Sequence, residues 1–559
     1  MSAPRSGGRV LVDQLRLHGA ELAFCVPGES YLPVLDALHD QREAIRLVTC
    51  RHEAGAANMA EAYGKLSGRP GLCLVTRGPG AAHAAVGVHT AFQDSTPMIL
   101  LVGDVGSGFR DREAFQEVDF AAMFAPLAKW AARIDRAERI PEYLARAFTV
   151  AMSGRRGPVV LALPEDVLAE EVAVADARPY APAYAEPGAT ELERLRQRLS
   201  EAKRPLAILG GHGWSREACA DFRAFAEANR LPVACAFRFQ DLFDNRHAHY
   251  VGDVGIAINP ILAERVRTAD LLLVLGARLG EMTTSGYTLL ASPVPRQGLV
   301  HVHPCAEELG RVYQAELPIL ASMRRMARSL AAMAPVDSSA WAASVAEARA
   351  DYVAWTARRE TPGRLQMWDV VDWLDRHVPE DAIWANGAGN YATWLHRFHR
   401  YTGLRTQLAP TSGAMGYSVP AAIAAKIAEP GRMVLSFAGD GCFLMSAPEL
   451  ATAVQQEAAV IFLVVNNGMY GTIRMHQEKH YPGRVIASDL VNPHFAALAR
   501  SFGAVGEIVE ETAQFAPAFE RAVASGKPAL IELRIDPQAI TPTATLDGIR
   551  AAALAARKG

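Results

Sequence analysis

The chain has 559 residues, half of them apolar, and a formal net charge of −3. This length exceeds what one hydrophobic core organises, so several domains are expected. The balanced charge argues against a nucleic-acid-binding protein, and every apolar run is far too short to span a membrane.

The amino-terminal segment and the cysteines both indicate a cytoplasmic protein. Residues 1–8 carry a charge but no apolar stretch behind it, so no secretory signal is predicted. The seven cysteines form no CxxC pair. They are typical of small core residues in a reducing compartment, and structural zinc is not expected.

Short apolar segments alternate with helical stretches in three regions of the chain. Strand candidates lie at 22–26, 46–50, 71–76, 98–102 and 158–163, then at 206–209, 233–236, 270–275 and 299–302, and finally at 382–385, 433–438, 460–465 and 529–533. This alternation predicts an α/β protein with three doubly wound parallel-sheet domains.

Two joints separate these regions. An Ala- and Pro-rich segment covers 172–188, and less regular stretches at 334–340 and 358–363 flank a polar helix. The predicted domains are therefore 1–172, 189–335 and 362–540. The remaining tail, 541–559, has few strand signals and is interpreted as a helix or a mobile extension.

In the first region, Glu53 lies where a predicted strand gives way to a helix rich in Ala and Gly. His52 and Glu53 resemble the start of the zinc motif HExxH, but its second histidine is absent. Taken alone, a glutamate in the first turn of a helix is favoured by the helix dipole and needs no catalytic role.

In the third region, two buried strands each end in polar residues. Gly439-Asp440-Gly441 follows the first strand and Asn466-Asn467 follows the second, with 24 residues between Gly441 and Asn466. That spacing fits a β-turn-α-β unit, which brings both strand ends to one sheet edge. Carboxylate and amide oxygens there suit Mg²⁺. Each half alone could be a simple turn or strand terminator.

The segments RHEAGAANMAEAYGKLSGRPG and VTRGPGAAHA, together with the GDG and NN motifs, resemble the thiamine-diphosphate (ThDP) enzymes, most closely acetolactate synthase catalytic subunits. The resemblance covers about residues 8–540. It implies a pyrimidine-binding domain, a central domain and a diphosphate-binding domain. It also implies that Glu53 hydrogen-bonds the aminopyrimidine and begins general acid/base catalysis relayed through the cofactor.

The same resemblance implies the residues around the cofactor and its metal. The implied Mg²⁺ ligands are Asp440, Asn467 and the backbone carbonyl of Met469. The other implied cofactor contacts are Gly78, Asn390, Tyr391, Gly413, Met415, Gly439, Gly441 and Cys442. Asn390 and Tyr391 replace the usual Gln and His of the family. Met415 would be the apolar wedge under the two rings, although a lone Met is also typical of a core.

Four positions bear on substrate recognition. Arg278 and Arg474 match family positions that would meet a substrate carboxylate, for which an Arg fork is suited. Arg278 could equally be a surface Arg after a strand. Gln116, in the family's FQE segment, is an implied active-site amide. His476 replaces a Trp of the family pattern, and it is either a titratable active-site group or an exposed loop histidine.

Three further residues of the first region depart from the family pattern. Glu29 stands where Gly is usual, and it could relay protons beside the cofactor or cap the helix beginning near Tyr31. Arg77 replaces a small Ser, and His83 replaces an Asn; the sequence assigns neither a role.

The central region resembles the FAD- or ADP-binding domain of the family through LGGHG and LGAR. The segment HYVGDVG departs from the family's HxxMHG, so FAD stays possible rather than expected. The family also implies a homodimer or homotetramer, because the pyrimidine domain of one chain meets the diphosphate domain of another. A regulatory small subunit is possible.

The resemblance predicts ThDP- and Mg²⁺-dependent decarboxylation of a 2-keto acid, followed by ligation of the enamine to a second carbonyl. The alternatives are a non-ligating 2-keto acid decarboxylase and a lyase of the 2-hydroxyacyl-CoA or benzaldehyde type, which His476, Glu29 and the altered flavin segment favour. A non-enzymatic cofactor-binding protein is the third hypothesis, which Glu53, Asp440 and Asn467 together disfavour.

Overall fold

The computed structural model describes residues 3–557; residues 1, 2, 558 and 559, which the predicted first domain and tail include, lie outside the described residues. Three six-stranded parallel sheets and the helices around them confirm the predicted fold class. Within residues 3–557, no helix is both long and apolar enough to cross a bilayer.

The first sheet has the strand order β3-β2-β4-β5-β7-β6, and β1 pairs antiparallel with β8 beside it. The strands are β1 Arg5–Ser6, β2 Leu22–Cys25, β3 Arg46–Thr49, β4 Gly71–Val75, β5 Met98–Asp104, β6 Trp130–Arg133, β7 Pro158–Pro164 and β8 Glu171–Val172. The helices are α1 Gly7–Leu17, α2 Leu32–Asp40, α3 Glu53–Ser67, α4 Gly78–Asp94, α5 Phe120–Phe124, α6 Ile140–Met152 and α7 Glu165–Ala169.

The second sheet has the order β11-β10-β9-β12-β13-β14. Its strands are β9 Pro205–Leu209, β10 Val233–Ala236, β11 Tyr250–Val254, β12 Leu271–Leu275, β13 Gly298–His303 and β14 Leu317–Leu320. Its helices are α8 Ala189–Glu201, α9 Arg216–Ala228, α10 Pro260–Thr268 and α11 Met323–Ala331. A further helix, α12 Ala342–Trp355, lies between the second and third sheets in sequence and packs against β11.

The third sheet has the order β16-β15-β17-β18-β20-β19. Its strands are β15 Ile383–Asn386, β16 Gln407–Leu408, β17 Val434–Gly439, β18 Ile461–Asn466, β19 Val505–Val509 and β20 Ala529–Arg534. The helices are α13 Met367–His377, α14 Ala392–Phe398, α15 Ser418–Ala428, α16 Asp440–Leu444, α17 Glu449–Gln455, α18 Gly471–His480, α19 Phe495–Ser501, α20 Thr512–Ala524 and α21 Leu546–Ala556.

All three sheets reverse their winding at an equivalent place. The chain leaves the first central strand toward one edge and returns to the other side, so the switch points lie between β2 and β4, β9 and β12, and β15 and β17. In open α/β sheets, ligands bind at the carboxyl ends of the strands at such points. The topology therefore places three candidate sites, one on each sheet.

The first and third domains share one hydrophobic core. Helix α3 packs on α15 of the third domain and on α4 of its own, and all three helices are rich in small residues. A Cβ added at Gly87 of α4 would lie 2.4 Å from the Ala57 side chain of α3. This close approach holds α3 and α4 of the first domain together, and the packing of α15 on α3 joins the third domain to them.

The predicted tail contains a docked helix. Helix α21 packs on α18, where Leu546 and Ile549 join a small apolar cluster with Met469, Met475 and Ile540. A salt bridge between Arg550 and Glu478 also links the two helices. The tail thereby covers the segment that follows β18.

Candidate active site

Two strand ends of the third sheet bring the GDG and NN motifs together. Strand β17 ends at Gly439, which pairs in register with Val465 of β18, and Asp440 opens helix α16. The amide of Gly468 donates to the Asp440 carboxylate at 2.9 Å, which ties the loop after Asn467 to the carboxylate. The backbone thus places Asp440 and Asn467 at one sheet edge, which is the arrangement that the sequence predicts.

The Asp440 carboxylate is almost fully buried and hydrogen-bonded on both oxygens. Oδ1 accepts from the amide of Gly441 at 2.8 Å, and Oδ2 accepts from Gly468 and from Nδ2 of Asn492 at 2.8 Å. Burial nevertheless raises the pKa of Asp440, because desolvation disfavours the charged form more than these donors favour it. A cation bound there would stabilise the ionised carboxylate.

The glycines of the motif allow aromatic rings to approach the backbone. A Cβ at Gly439 would lie 2.7 Å from the ring of Tyr391, and one at Gly441 would lie 2.6 Å from the ring of Tyr470. Real Cβ atoms do not approach that closely, so these turns admit only glycine. The rings therefore pack directly on the Asp440 turn.

A cavity of about 230 Å³ opens at this edge, and its described lining comes from the third domain and the segment after β20. It includes the predicted contacts Asn390, Tyr391, Gly413, Met415, Gly439, Asp440, Gly441, Cys442, Asn467 and Met469. The phenol of Tyr391 donates to Cys442 Sγ and accepts from the amide of Gly387, both at 3.2 Å. The amide oxygen of Asn390 accepts from Thr472 at 2.9 Å.

The segment 411–417 forms one wall of this cavity. Gly413 and Gly416 both have positive φ, at 70° and 77°, which favours glycine at each position. Cys442 Sγ accepts from the amide of Gly416 at 3.1 Å, so the segment is tied to α16. Met415 lines the cavity and is half-buried, which fits an apolar contact better than a core position.

The predicted catalytic Glu53 lies at the carboxyl end of the first sheet. It is the first residue of α3, after β3, and its side chain is 12% exposed. The buried Glu449 of the third domain holds the preceding turn, because its carboxylate accepts from the amides of Arg51 and His52 at 3.1 and 3.0 Å. Glu53 does not line the 230 Å³ cavity of its own chain.

Three family profiles match the chain, in the order of its three sheets. The C-terminal TPP binding domain of thiamine pyrophosphate enzymes matches residues 387–533, the N-terminal TPP binding domain matches 5–123, and the central domain matches 192–330. The chain belongs to the thiamine pyrophosphate enzymes. Thiamine pyrophosphate is ThDP, and this family binds it with Mg²⁺.

Relatives of this ThDP enzyme are similar over most of their length. The acetolactate synthase large subunit of Corynebacterium glutamicum is 32% identical over 92% of the chain and 84% of the relative. The acetolactate synthase isozyme 2 large subunit of Escherichia coli K12 is 28% identical over 95% and 96%. A probable acetolactate synthase large subunit of Methanocaldococcus jannaschii is 28% identical over 96% and 93%.

The residues of the ThDP enzyme fit the expected metal and diphosphate. Asp440 offers a buried carboxylate, and the Asn467 side chain has no hydrogen-bond partner in the described part of the chain, so its oxygen is free to ligate. With the carbonyl of Met469 these are hard oxygen ligands of the type that Mg²⁺ takes beside phosphate oxygens and water. They would hold the metal, which would neutralise the diphosphate.

The two arginines predicted to bind substrate carboxylates are both engaged in ion pairs. Arg278 Nε lies 3.2 Å from Glu308, and its Nη1 donates to the carbonyl of Gln93. Arg474 Nη1 lies 2.7 Å from Asp489. Arg278 lines the larger, adjoining cavity and not the 230 Å³ one. Their predicted role stays a prediction.

His476 is an exposed residue of α18, and its ring stacks on that of His480 at 5.8 Å between centroids. Glu29 is exposed in a short 3₁₀ turn, Glu29–Tyr31, and makes no capping hydrogen bond to that turn or to α2. Glu29 thus lies in the first turn of the 3₁₀ segment before α2, and both roles predicted for it, proton relay and helix cap, stay predictions.

The loop after β5 folds back on the Gly78 turn. The backbone carbonyl of Gln116 accepts from the amide of Gly78 at 3.0 Å, which places Gln116 at the same sheet edge as Glu53. Arg77 forms a salt bridge with Glu165 at the start of α7. Arg77 thus has a structural partner in the first domain.

The larger cavity, of about 640 Å³, lies at the switch point of the second sheet. Gly211, His212 and Arg278 line it, and Gly213 has a φ of 93° with open space where a Cβ would stand. This volume lies within the range of small-molecule and cofactor pockets. Burial lowers the pKa of His212 to about 3, so its imidazole stays neutral.

Some site residues carried no recognisable sequence signal. Asn492 reaches Asp440 from a loop after α18, and Glu449 supports the turn before Glu53 from α17. Neither stands in a motif or follows a long apolar strand. Only the tertiary fold brings them to the site, and a single sequence contains no spacing that would have found them.

Proposed function

We propose that the protein decarboxylates a 2-keto acid, using ThDP and Mg²⁺, and joins the remaining fragment to a second carbonyl compound. Pyruvate is the proposed donor and acceptor, and acetolactate is the proposed product. The observation that carries the proposal is that the chain has Glu53 at the carboxyl edge of its first sheet and Asp440 with Asn467 at the carboxyl edge of its third. The relatives named acetolactate synthase support the choice of substrate.

Each group has a defined task in this proposal. Bound ThDP supplies a carbon nucleophile that can hold the electrons released when CO₂ leaves. Asp440 and Asn467 hold the metal that anchors the diphosphate, and Met415 packs against the cofactor rings. Glu53 holds and moves a proton at the aminopyrimidine ring.

The proposed enzyme works as a homodimer or a pair of dimers. Glu53 and the 230 Å³ cavity of one chain are separate, so a second copy is proposed to bring its Glu53 to the cavity. Apolar side chains near both parts are exposed, such as Phe115 at 72% and Met445 at 54%. Such exposure is expected of surface that a second copy covers.

We further propose a cytoplasmic location and a possible regulatory small subunit. The large-subunit names of the relatives support the second suggestion. Copurification of a small partner with a tagged chain from its native host would test it, and size-exclusion chromatography of the chain alone would give the control.

The alternative is a decarboxylase or a lyase that does not ligate. It is favoured by the ion pairs of Arg278 with Glu308 and of Arg474 with Asp489, because each guanidinium already has an acidic partner within the chain. A 2-hydroxyacyl-CoA substrate would instead place its nucleotide-like portion in the 640 Å³ cavity, which shares wall residues with the smaller one.

One substrate panel separates these functions. Purified protein is loaded with ThDP and Mg²⁺ and offered pyruvate, other 2-keto acids and 2-hydroxyacyl-CoA thioesters, and CO₂, acetolactate and aldehydes are measured. Acetolactate from pyruvate supports the proposal. CO₂ with aldehyde alone, or cleavage of the thioester alone, would establish an alternative. Glu53→Gln is the control, and full activity in it would contradict all of them.

A mixing experiment tests the shared site. Glu53→Gln and Asp440→Ala are purified separately, then dissociated and reassembled together. Hybrid dimers would contain one site with both an intact Glu53 and an intact Asp440, so about a quarter of the wild-type activity should return. No recovery, with hybrid dimers demonstrated by tagged subunits, would refute a site built from two chains.

A further inference from the structure

His83 is the side chain in direct contact with the predicted catalytic carboxylate. Its Nδ1 lies 2.9 Å from Oε2 of Glu53. His83 belongs to the second turn of α4, whereas Glu53 opens α3, so the contact joins two helices that follow different strands of the first sheet. An ionised carboxylate can only accept, so with Glu53 ionised the proton of this hydrogen bond is on Nδ1 of His83.

A second histidine supports the ring of His83. The rings of His52 and His83 are stacked with 4.5 Å between centroids and a tilt of 30°. His52 is itself fixed, since its Nδ1 accepts from the amide of Ala54 at 3.1 Å and caps α3. The stack limits the rotation of His83, although half of its side chain is exposed.

The two oxygens of Glu53 have different surroundings. Oε2 faces His83, while Oε1 faces Gly80, where an added Cβ would lie only 3.4 Å from it. The absent side chain at Gly80 leaves space beside Oε1. The carboxylate therefore has one oxygen held by an imidazole and one, beside Gly80, without a hydrogen-bond partner in the described part of the chain.

We propose that His83 is a positioning residue for Glu53: it holds Oε2 so that Oε1 is presented to the aminopyrimidine of the cofactor. This inference rests on the proposed function of Glu53. A hydrogen bond with an ionised partner is shorter and stronger than a neutral one, so its loss releases the carboxylate into other rotamers. Productive geometry tolerates little such freedom.

His83 differs in kind from a surface ion pair that merely adds stability. A partly exposed pair contributes little to folding, so removing His83 should leave the melting temperature nearly unchanged. Its effect should instead appear wherever the orientation of Glu53 is needed. These two expectations are measured separately, which makes a positioning role distinguishable from a structural one.

The test compares three substitutions. His83→Leu removes the donor, and His83→Asn keeps an amide donor near the position of Nδ1. His39→Leu, at an exposed site on α2 of the same domain, is the matched control. For each variant, two quantities are measured without substrate: the dissociation constant of ThDP in the presence of Mg²⁺, and the rate of hydrogen–deuterium exchange at C2 of bound ThDP.

His83→Leu is expected to slow the exchange by about tenfold or more and to weaken ThDP binding, because a charged hydrogen bond is lost. His83→Asn should restore most of the rate, and His39→Leu should match the wild type. The inference is overturned if His83→Leu exchanges at the wild-type rate, or if His83→Asn is as slow as His83→Leu.

Glu53→Gln separates this inference from the function on which it rests. If Glu53→Gln exchanges at the wild-type rate, the proposed role of Glu53 fails and that of His83 fails with it. If Glu53→Gln is slow while His83→Leu is normal, only the inference about His83 fails. Melting temperatures of all variants show whether any loss comes from unfolding.

Discussion

Replacing Lys65 with Met should cost more stability than any other single lysine substitution near the site. Lys65 on α3 is buried, and its Nζ lies 3.1 Å from Glu61 and 2.5 Å from Asp94. Asp94 also accepts from Thr411, and Glu61 accepts from Tyr417. The three charges thus hold both ends of the segment 411–417, which carries Gly413 and Met415 of the cofactor cavity.

The expected size follows from the burial of all three groups. Both carboxylates have side chains that are 0% exposed, so Lys65→Met leaves two buried acids without their cation. Breaking a buried ion pair by removing one partner costs about 3–5 kcal/mol. For a unit of about 150–250 residues, each kcal/mol lowers the melting temperature by about 2–4 °C. We expect a fall of roughly 10 °C at pH 8.

The stability deficit of Lys65→Met should depend on pH, and the pKa values of Asp94 and Glu61 give the direction of that dependence. Burial pushes the pKa of Asp94 up, but the charge and hydrogen bond of Lys65 outweigh it, so this pKa lies below its usual value. Burial already raises the pKa of Glu61 despite Lys65. Without Lys65 both pKa values rise. A raised folded-state pKa adds stability at low pH, and this added stability is lost as the pH rises. The stability deficit of Lys65→Met relative to the wild type should therefore shrink toward pH 5.5.

Calorimetry or thermal denaturation at pH 5.5 and pH 8 measures the loss of stability and its dependence on pH. As the pH is lowered, the stability deficit should fall by about 1.4 kcal/mol per pH unit for each additional proton that the folded variant binds. Lys203→Met, at an exposed lysine, is the control and should stay within about 0.5 kcal/mol of the wild type. A loss below about 1 kcal/mol at pH 8, or a loss that is independent of pH, would refute the reasoning.

Three further predictions concern the metal, the tail and the space beside Glu53. Asn492→Ala removes a donor from the Asp440 carboxylate and should weaken Mg²⁺ binding by about 10–100-fold in a titration with ThDP present; unchanged binding would contradict it. Arg550→Ala leaves Glu478 without its partner on α21, so hydrogen exchange over 546–556 should accelerate while the rest of the chain is unaffected. Gly80→Ala narrows the space beside the proposed catalytic carboxylate of Glu53 and should weaken ThDP binding in a titration; unchanged binding would contradict this expectation.

The sequence predicted the interior strands of every sheet and missed strands at their edges. The six-stranded sheets contain five strands without a candidate: Trp130–Arg133, Tyr250–Val254, Leu317–Leu320, Gln407–Leu408 and Val505–Val509. Each is the last strand at one edge of its sheet. An edge strand is covered less completely, so it lacks the continuous apolar run that identifies a strand buried on both faces.

The residues of the candidate site also fall into two groups, those that the sequence could predict and those that it could not. The groups next to strand ends, such as Glu53, Asp440 and Asn467, could be predicted because a buried strand followed by a polar turn is visible in the sequence. Lys65, Glu449 and Asn492 could not, since they act across helices and loops that only tertiary packing brings together. The role of His83 belongs to this second group, because its partner is 30 residues away on another helix.

The packing of α3 on α15 supports the proposal that two chains together complete the site. Small residues bring these helices into a single core shared by the first and third domains, and the buried charges of Lys65, Glu61 and Asp94 lock the contact. Separating the domains would expose that core and those charges together, which is costly. Glu53 is therefore held outside the lining of the 230 Å³ cavity of its own chain, which supports the proposal that a second copy of the chain supplies the carboxylate there.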